Sequence, residues 1–149
     1  MNLDVILVRC LKELTLFLVI VLVGLSFAQA SIRTLGMGPV TSIAFSPDGK
    51  YMAAGSIAVH LIDTNTWQVI RIFEGRKRPV FSLSFSPDGK LLASASIDGT
   101  VRLWDVAAAR EVQMFTGHAD AVGSVCFSPD GKLLFFGSDG RTIKIWSVK

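Results

Sequence analysis

Apolar residues follow two different patterns along this chain. From Leu14 to Ala28 no residue is charged, and most positions are Leu, Val, Ile or Phe. From Val40 onward, apolar and small polar residues alternate in short stretches that are bounded by Gly, Pro, Asp or Ser. Alternation with a period of two predicts β-strands, and turns about every 8–12 residues are typical of antiparallel sheets. The patterns therefore predict an apolar N-terminal helix followed by an all-β region.

One turn sequence occurs three times in the alternating region. Phe-Ser-Pro-Asp-Gly-Lys stands at residues 45–50, 85–90 and 127–132, so the steps are 40 and 42 residues. Pro presets φ at the second turn position, Asp accepts local backbone hydrogen bonds, and Gly adopts a conformation that is costly for other residues. Self-similarity at a fixed period is typical of stacked units, none of which buries its apolar face alone. Three stacked units are therefore predicted.

Each unit is predicted to contain up to four short antiparallel strands. The aligned sequences place first strands at 40–45, 80–85 and 122–127, second strands at 51–56, 91–96 and 133–138, third strands at 59–63, 101–105 and 143–147, and fourth strands at 68–73 and 111–115. No fourth strand is predicted for the third unit. An N-terminal segment of residues 1–30 thus precedes a repeat region of residues 31–149, with repeats at about 36–75, 76–117 and 118–149.

Two short motifs point to a known family. The third strand of the second unit reads Leu103-Trp104-Asp105, and the third unit opens with Gly117-His118. A Gly-His start and a Trp-Asp end about 40 residues apart are the signature of WD repeats, and the chain resembles the WD-repeat family over residues 32–149. Members build four-stranded blades around a central channel. The resemblance implies an incomplete β-propeller of about three blades, acting as a non-catalytic scaffold that binds protein or peptide partners on its loop face.

The resemblance also implies a buried hydrogen-bond network in each blade, made by a His, a Ser or Thr, an Asp and the Trp. The residues that match this network are Ser94, Asp98, Trp104, His118 and Trp146. No repeat has the complete set. Ile62 stands at the Trp position of the first repeat, Arg76 at the His position of the second and Phe136 at the Ser position of the third. An unpaired buried polar group costs about 1–3 kcal/mol, so we expect incomplete networks to make the blades less rigid.

Residues 1–30 have the three-part pattern of a secretory signal. Two basic residues precede the apolar run, and its core, residues 14–25, has the length of a signal h-region. Small residues at Ala28 and Ala30 match the positions that a signal peptidase requires. We therefore predict cleavage before Ser31 and export to the extracellular or periplasmic space.

An uncleaved membrane anchor at residues 14–28 is the alternative. About 15 to 17 apolar residues are short for a transmembrane helix, which favours the cleaved signal. Basic residues ahead of the segment keep the N-terminus inside in either case. The anchored form would hold the repeats on the non-cytoplasmic side, and a membrane-tethered structural domain is therefore an alternative function.

The sequence contains no set of residues that indicates catalysis, a cofactor or a metal. Neither of the two histidines, His60 and His118, has a neighbouring candidate nucleophile. The two cysteines form no CxxC spacing and no disulfide framework, and Cys126, in the middle of a predicted strand, is predicted to be a small buried side chain. We expect no enzyme, although a fragment of a propeller hydrolase remains an alternative function.

Charge adds one candidate binding patch. The net charge is +3, and the basic residues are spread through the repeats, so we expect no nucleic-acid partner. The basic cluster Arg76-Lys77-Arg78 lies in the loop that opens the second repeat. It is either a solvated loop or a docking patch for an acidic protein partner.

The number of repeats predicts uncovered apolar surface. Closed propellers typically have about 4–8 blades, so three repeats predict an open arc with apolar faces that include Phe135, Phe136 and Trp146. We expect either a truncated gene product or a chain that completes its ring by self-association. In the second case residues 32–35 of one copy would pair with residues 143–147 of another.

Overall fold

The computed structural model describes residues 35–75, 78–116 and 119–148. All regular secondary structure in these segments is β-strand. The strands are β1 (Ser42–Phe45), β2 (Tyr51–Gly55), β3 (Val59–Asp63), β4 (Val69–Phe73), β5 (Val80–Phe85), β6 (Leu91–Ser96), β7 (Val101–Asp105), β8 (Arg110–Phe115), β9 (Val122–Phe127), β10 (Leu133–Ser138) and β11 (Thr142–Ser147).

The strands form three antiparallel sheets in which neighbours in sequence are neighbours in space. β1–β4 form the first sheet, β5–β8 the second and β9–β11 the third. Tight turns suffice to connect antiparallel strands in this order. The prediction of an all-β, incomplete propeller of three blades is confirmed, and every strand begins and ends within two residues of its predicted bounds.

The Ser-Pro-Asp-Gly turn makes the same hydrogen bonds in all three sheets. In the second sheet, Ser86 Oγ donates to Asp88 Oδ1 (2.6 Å) and accepts from Leu91 N–H (2.9 Å), and Lys90 N–H donates to Asp88 Oδ1 (3.1 Å). Gly89 has a φ of 71°, which few residues other than Gly adopt at low cost. The turns at residues 46–51 and 128–133 repeat these contacts. The identical sequence therefore builds an identical turn.

Two apolar layers lie between the sheets. The layer between the first and second sheets contains Val59, Leu61 and Phe73 from one side and Leu83, Phe85, Leu92 and Trp104 from the other. The layer between the second and third sheets contains Ala93, Ala95, Val101, Leu103 and Phe115 opposite Val122, Val125, Leu134 and Phe136. We call the side of a sheet that faces the preceding sheet its front face, and the side that faces the following sheet its back face. Burial of one such large side chain stabilises the fold by about 1.5–3 kcal/mol.

Two predictions about the third sheet are wrong. Cys126 is exposed because it lies on the back face of the third sheet, which no further sheet of the described segments covers. Ser84, at the same position of the second sheet, is covered by β9 and accepts a hydrogen bond from Phe127 N–H (3.4 Å). Phe136 is buried rather than uncovered, because it lies on the front face and packs on Phe115.

Several predicted features lie outside the described residues. They are the N-terminal helix, the cleavage site at Ala28, Ala30 and Ser31, and the loop residues Arg76, Lys77 and His118. Within the segments that the structure describes, no helix is long and apolar enough to cross a membrane.

Candidate protein-interaction surface

Trp104 and Ser94, two residues of the predicted blade network, are hydrogen-bonded in the second sheet. Trp104 lies on β7 and Ser94 on the adjacent β6, and both are buried. The indole Nε1–H donates to Ser94 Oγ across 2.8 Å. The indole ring also packs against Phe73 of the first sheet, with 5.5 Å between ring centroids. The hydrogen bond allows a large aromatic side chain to be buried without leaving its N–H unpaired.

Aromatic packing takes the place of this hydrogen bond in the third sheet. Phe136 stands at the position of Ser94, and its ring stacks on Trp146 with 6.4 Å between centroids. Trp146 also packs on Phe115 of the second sheet at 5.3 Å. The Trp146 side chain remains 38% exposed, so its indole N–H does not require a hydrogen-bond acceptor inside the third sheet.

Asp98 shapes the turn between the second and third strands of the second sheet. Its Oδ1 accepts hydrogen bonds from Thr100 N–H (3.0 Å) and from the Thr100 hydroxyl (2.7 Å). The carboxylate is exposed at the end of the sheet. Asp98 therefore has a local role in the turn and is also accessible to a partner.

Hydrogen bonds join the loops at this end of the sheets, which we call the loop face. The loop face consists of the loop that opens each repeat and the loop between its second and third strands. The carbonyl of Pro79 accepts from Ser96 Oγ (2.9 Å) and from Ile97 N–H (3.2 Å). The next residue, Val80, donates its N–H to the carbonyl of Ser56 in the first sheet (2.8 Å). Pro79 and Val80, where the opening loop of the second repeat meets β5, are thus held between turns of two sheets.

Exposed apolar residues are directly bonded in sequence to, or are part of, this junction. Ile57 follows Ser56, Phe81 follows Val80, and all of Ile57, Phe81 and Ile97 are exposed. Arg78 and Asp98 are exposed beside them. An apolar centre bordered by charged groups is the usual anatomy of a protein-binding surface. We call Ile57, Phe81 and Ile97 the apolar centre of the loop face.

The loops of the third repeat give the loop face a second, acidic region. Asp139 N–H donates to the carbonyl of Ala121 (3.1 Å), so the residue before β9 meets the turn that follows the second strand. Asp120 and Asp139 are both exposed. A Cβ at Gly140 would lie 2.8 Å from Asp120 Oδ2, which places the two carboxylate-bearing loops in contact. The loop face therefore has positive charge at Arg78 and negative charge at Asp98 and in the third repeat.

Sequence reasoning selected the basic loop cluster and missed both the apolar centre and Asp120. Ile57 and Ile97 occupy the same position in two repeats, directly after the last Ser of the second-strand segment. A repeated apolar residue at a loop position is a signal that could have identified them. Phe81 gave no such signal, because an aromatic residue in a predicted strand is expected to be buried.

The carboxylates at the opposite end of the sheets are turn acceptors. The Ser86 hydroxyl, followed in strength by the Lys90 backbone N–H, lowers the pKa of Asp88 below its usual value. The equivalent Ser and Lys residues lower the pKa of Asp48 and Asp130 in the same way. These groups are ionised at neutral pH and are poor proton donors. In the described segments, no group of three or more His, Cys, Asp or Glu residues could hold a metal ion.

Comparison with protein families agrees with this architecture. The model of the family described as WD domain, G-beta repeat matches residues 29–57, 67–105 and 109–147. These segments make up more than half of the chain and contain all three Ser-Pro-Asp-Gly turns. No curated protein matches the chain. With three matched repeats and three sheets in the same order, the chain belongs to the WD-repeat family.

Proposed function

We propose that this chain is a non-catalytic interaction module that binds a protein or peptide partner on its loop face. WD-repeat proteins typically act as scaffolds for protein–protein interactions. The observation that carries the proposal is the apolar centre: Ile57, Phe81 and Ile97 are exposed, and each belongs to, or directly follows, a residue of the hydrogen-bonded junction of two sheets. A backbone that is held by hydrogen bonds before binding loses less conformational entropy on binding. The apolar centre is therefore suited to anchor a partner.

The charges around the centre indicate what kind of partner fits. Arg78, in the basic loop, favours an acidic group on one side of the partner's apolar anchor. Asp120 and Asp139 favour a basic group on the other side. Exposed charges of this kind accelerate association more than they raise affinity, and salt screens them. The association rate should therefore fall as salt concentration rises.

The proposal is tested with the full chain as bait for a displayed peptide library. The affinity of a selected peptide is then measured for variants of the apolar centre. Ile57→Asp and Ile97→Asp should each weaken binding by about tenfold or more, because truncation or charging of a central anchor costs about 2 kcal/mol or more. The triple variant Arg76→Ala, Lys77→Ala, Arg78→Ala should lower the association rate and its salt dependence.

Two substitutions away from the loop face serve as matched controls. Ile70→Asp changes an equally apolar, exposed residue on β4, and Lys90→Ala changes an exposed charge on the opposite turns. Both should leave affinity unchanged. Selected peptides that lose affinity with Ile70→Asp and keep it with Ile57→Asp would show that the partner binds elsewhere, and the proposed surface would be abandoned.

We also propose that the repeats function outside the cytoplasm. The support is the sequence of the N-terminal segment, in which small residues at Ala28 and Ala30 follow an uncharged apolar run. N-terminal sequencing of the exported protein should begin at Ser31. Ala30→Phe should block this cleavage, whereas Gln29→Leu, a change between the two small positions, should permit it. A chain that begins at Met1 and resists alkaline carbonate extraction would favour the membrane-anchored form.

A further inference from the structure

Adjacent sheets pack in the same way at both internal interfaces. β5 lies against β1 and β2, and β9 lies against β5 and β6. A Cβ at Gly89 would lie 3.7 Å from Pro47 of the preceding turn, and a Cβ at Gly131 would lie 3.3 Å from Pro87. The same Gly–Pro contact thus occurs at both interfaces. The alignment of one sheet on the next is therefore a property of the repeat sequence and not of one particular pair of sheets.

Gly55 supplies a second point of register. A Cβ at Gly55, on the back face of the first sheet, would lie 3.3 Å from Val80 Cβ at the start of the second sheet. Gly137 has the position of Gly55 in the third repeat, and Val40 has the position of Val80 in the first. The two positions that make this contact therefore occur once more in the chain, Val40 in the first repeat and Gly137 in the third, without facing each other across an internal interface.

The back face of the third sheet exposes residues at positions that the other sheets bury. Ile143 is 73% exposed and Ile145 is 59% exposed. Val101 and Leu103, at the same positions of the second sheet, are buried in the layer against the third sheet. The back face thus retains the apolar residues of an internal interface without a covering sheet in the described segments.

The front face of the first sheet is exposed along its first strand. Ile43 is 59% exposed and Phe45 is 55% exposed, whereas Leu83 and Phe85 at the same positions of the second sheet are buried. Farther from this strand, Ile62 is already buried. The accessible part of the front face therefore includes β1 at one end and Ile72 of β4 at the other.

We propose that the back face of the third sheet binds β1 of a second copy of this chain, in the register of the internal interfaces. The two surfaces are apolar, and each is built at the positions that pack on one another inside a single chain. Different surfaces of the two copies meet, so the contact is heterologous and closes a ring only if the rotation allows it. A closed ring of two copies would contain six sheets, within the range of about 4–8 blades found in propellers.

The interface between the second and third sheets also indicates which polar group crosses the contact. Ser82 Oγ accepts a hydrogen bond from Val125 N–H of the next sheet (3.2 Å). Ser124 has the position of Ser82, and Ile43 has the position of Val125. Ser124 of one copy therefore meets the backbone N–H of Ile43 of the other, on an uncharged surface.

Disulfide cross-linking between two differently tagged full-length chains tests the proposed register. One chain carries Val40→Cys and the other Gly137→Cys, both in a background of Cys10→Ser and Cys126→Ser. The equivalent internal pair has Cβ atoms 3.3 Å apart, close to the spacing of about 3.5–4.5 Å in disulfides. Co-expressed and mildly oxidised, the two variants should give a covalent dimer that carries both tags.

The internal pair supplies the matched control. Gly55→Cys with Val80→Cys in one chain should form a disulfide within that chain under the same conditions. If this control forms and the mixed pair does not, the proposal is overturned. A covalent dimer from Gly137→Cys chains alone also overturns it, because two back faces would then meet symmetrically.

Sedimentation of the purified full chain gives a second, independent readout. The wild-type chain should have at least twice the mass of one chain. Ile43→Lys should reduce the associated fraction by about tenfold or more at the same concentration, since an unpaired charge would be buried at the contact. Val112→Lys, at an apolar position on β8 that is also more than half exposed, should leave the mass unchanged. A wild-type monomer overturns the proposal whatever the cross-linking gives.

Discussion

The hydrogen bond between Trp104 and Ser94 should make a measurable contribution to the free energy of unfolding. In Ser94→Ala the indole N–H stays buried but loses its acceptor at 2.8 Å. A buried donor without a partner costs about 1–3 kcal/mol. For a domain of this size, 1 kcal/mol corresponds to about 4 °C in Tm. Ser94→Ala should therefore lower Tm by about 4–12 °C.

A double-mutant cycle separates the hydrogen bond from other effects of the substitutions. Trp104→Phe removes the donor and some packing volume against Phe73, and Ser94→Ala with Trp104→Phe removes both partners. The double variant leaves no indole N–H to be orphaned, so its cost should fall short of the sum of the single costs by about 1 kcal/mol or more. Urea unfolding followed by circular dichroism measures all four proteins without relying on tryptophan fluorescence.

The third repeat provides an internal control for this cycle. Trp146 has Phe136 in place of the serine and is partly exposed, so Trp146→Phe orphans no buried group and should cost less than Trp104→Phe. Single costs that add without coupling, or a Ser94→Ala variant within about 0.5 kcal/mol of the wild type, would refute the importance of the bond.

Two further predictions concern the repeated turns. Gly49→Ala should lower the free energy of unfolding by about 1–2 kcal/mol, because Gly49 has a φ of 70°. Gly123→Ala, at a strand position, should not. At both positions no atom lies within 4 Å of the added Cβ, so equal urea midpoints for the two variants would contradict the strain argument. The second prediction concerns the turn carboxylates. The pKa values of Asp48, Asp88 and Asp130 are lowered in the folded protein. The stability that these carboxylates contribute is therefore fully present above the unfolded pKa of about 3.9, and it is lost as pH falls through the lower folded values. The triple Asp→Asn variant should therefore lose less stability than the wild type on acidification. Urea unfolding is compared between about pH 5 and pH 2, about one pH unit above and two below the unfolded pKa. Parallel stability profiles of the two proteins would show that these carboxylates do not control acid stability.

The strands and turns could be predicted because their causes are local. The Ser-Pro-Asp-Gly sequence contains all the side-chain groups of its own turn: Ser86 and Asp88 bond to each other and to backbone within five residues. Period-two alternation then fixes which residues share a face. The same local information located Ser94 and Trp104 on adjacent strands, and their hydrogen bond follows from the antiparallel register.

The apolar centre of the loop face could not be predicted from the same information. Its geometry depends on Pro79 and Val80 bonding to turns of two different sheets, and those turns are far from each other along the chain. Alternation suggests that Phe81 belongs to a buried or half-buried strand, yet its side chain is exposed. Only the packing of one sheet on the next determines what lies around it.

Whether a residue at a repeated position is buried also depends on the packing of one sheet on the next. Leu103 and Ile145 have the same place in the strand pattern, and the sequence gives no reason to treat them differently. Leu103 is buried because β9 and β10 cover the second sheet, and Ile145 is exposed because no sheet of the described segments covers the third. Cys126 differs from Ser84 for the same reason. A repeat sequence thus specifies a surface that fits its neighbour, and the presence of the neighbour decides whether that surface becomes core. Exposure alone shows only that Ile143 and Ile145 could bind a partner. Their equivalence to Val101 and Leu103, which pack on the next sheet, indicates that the partner surface is another sheet of the same repeat.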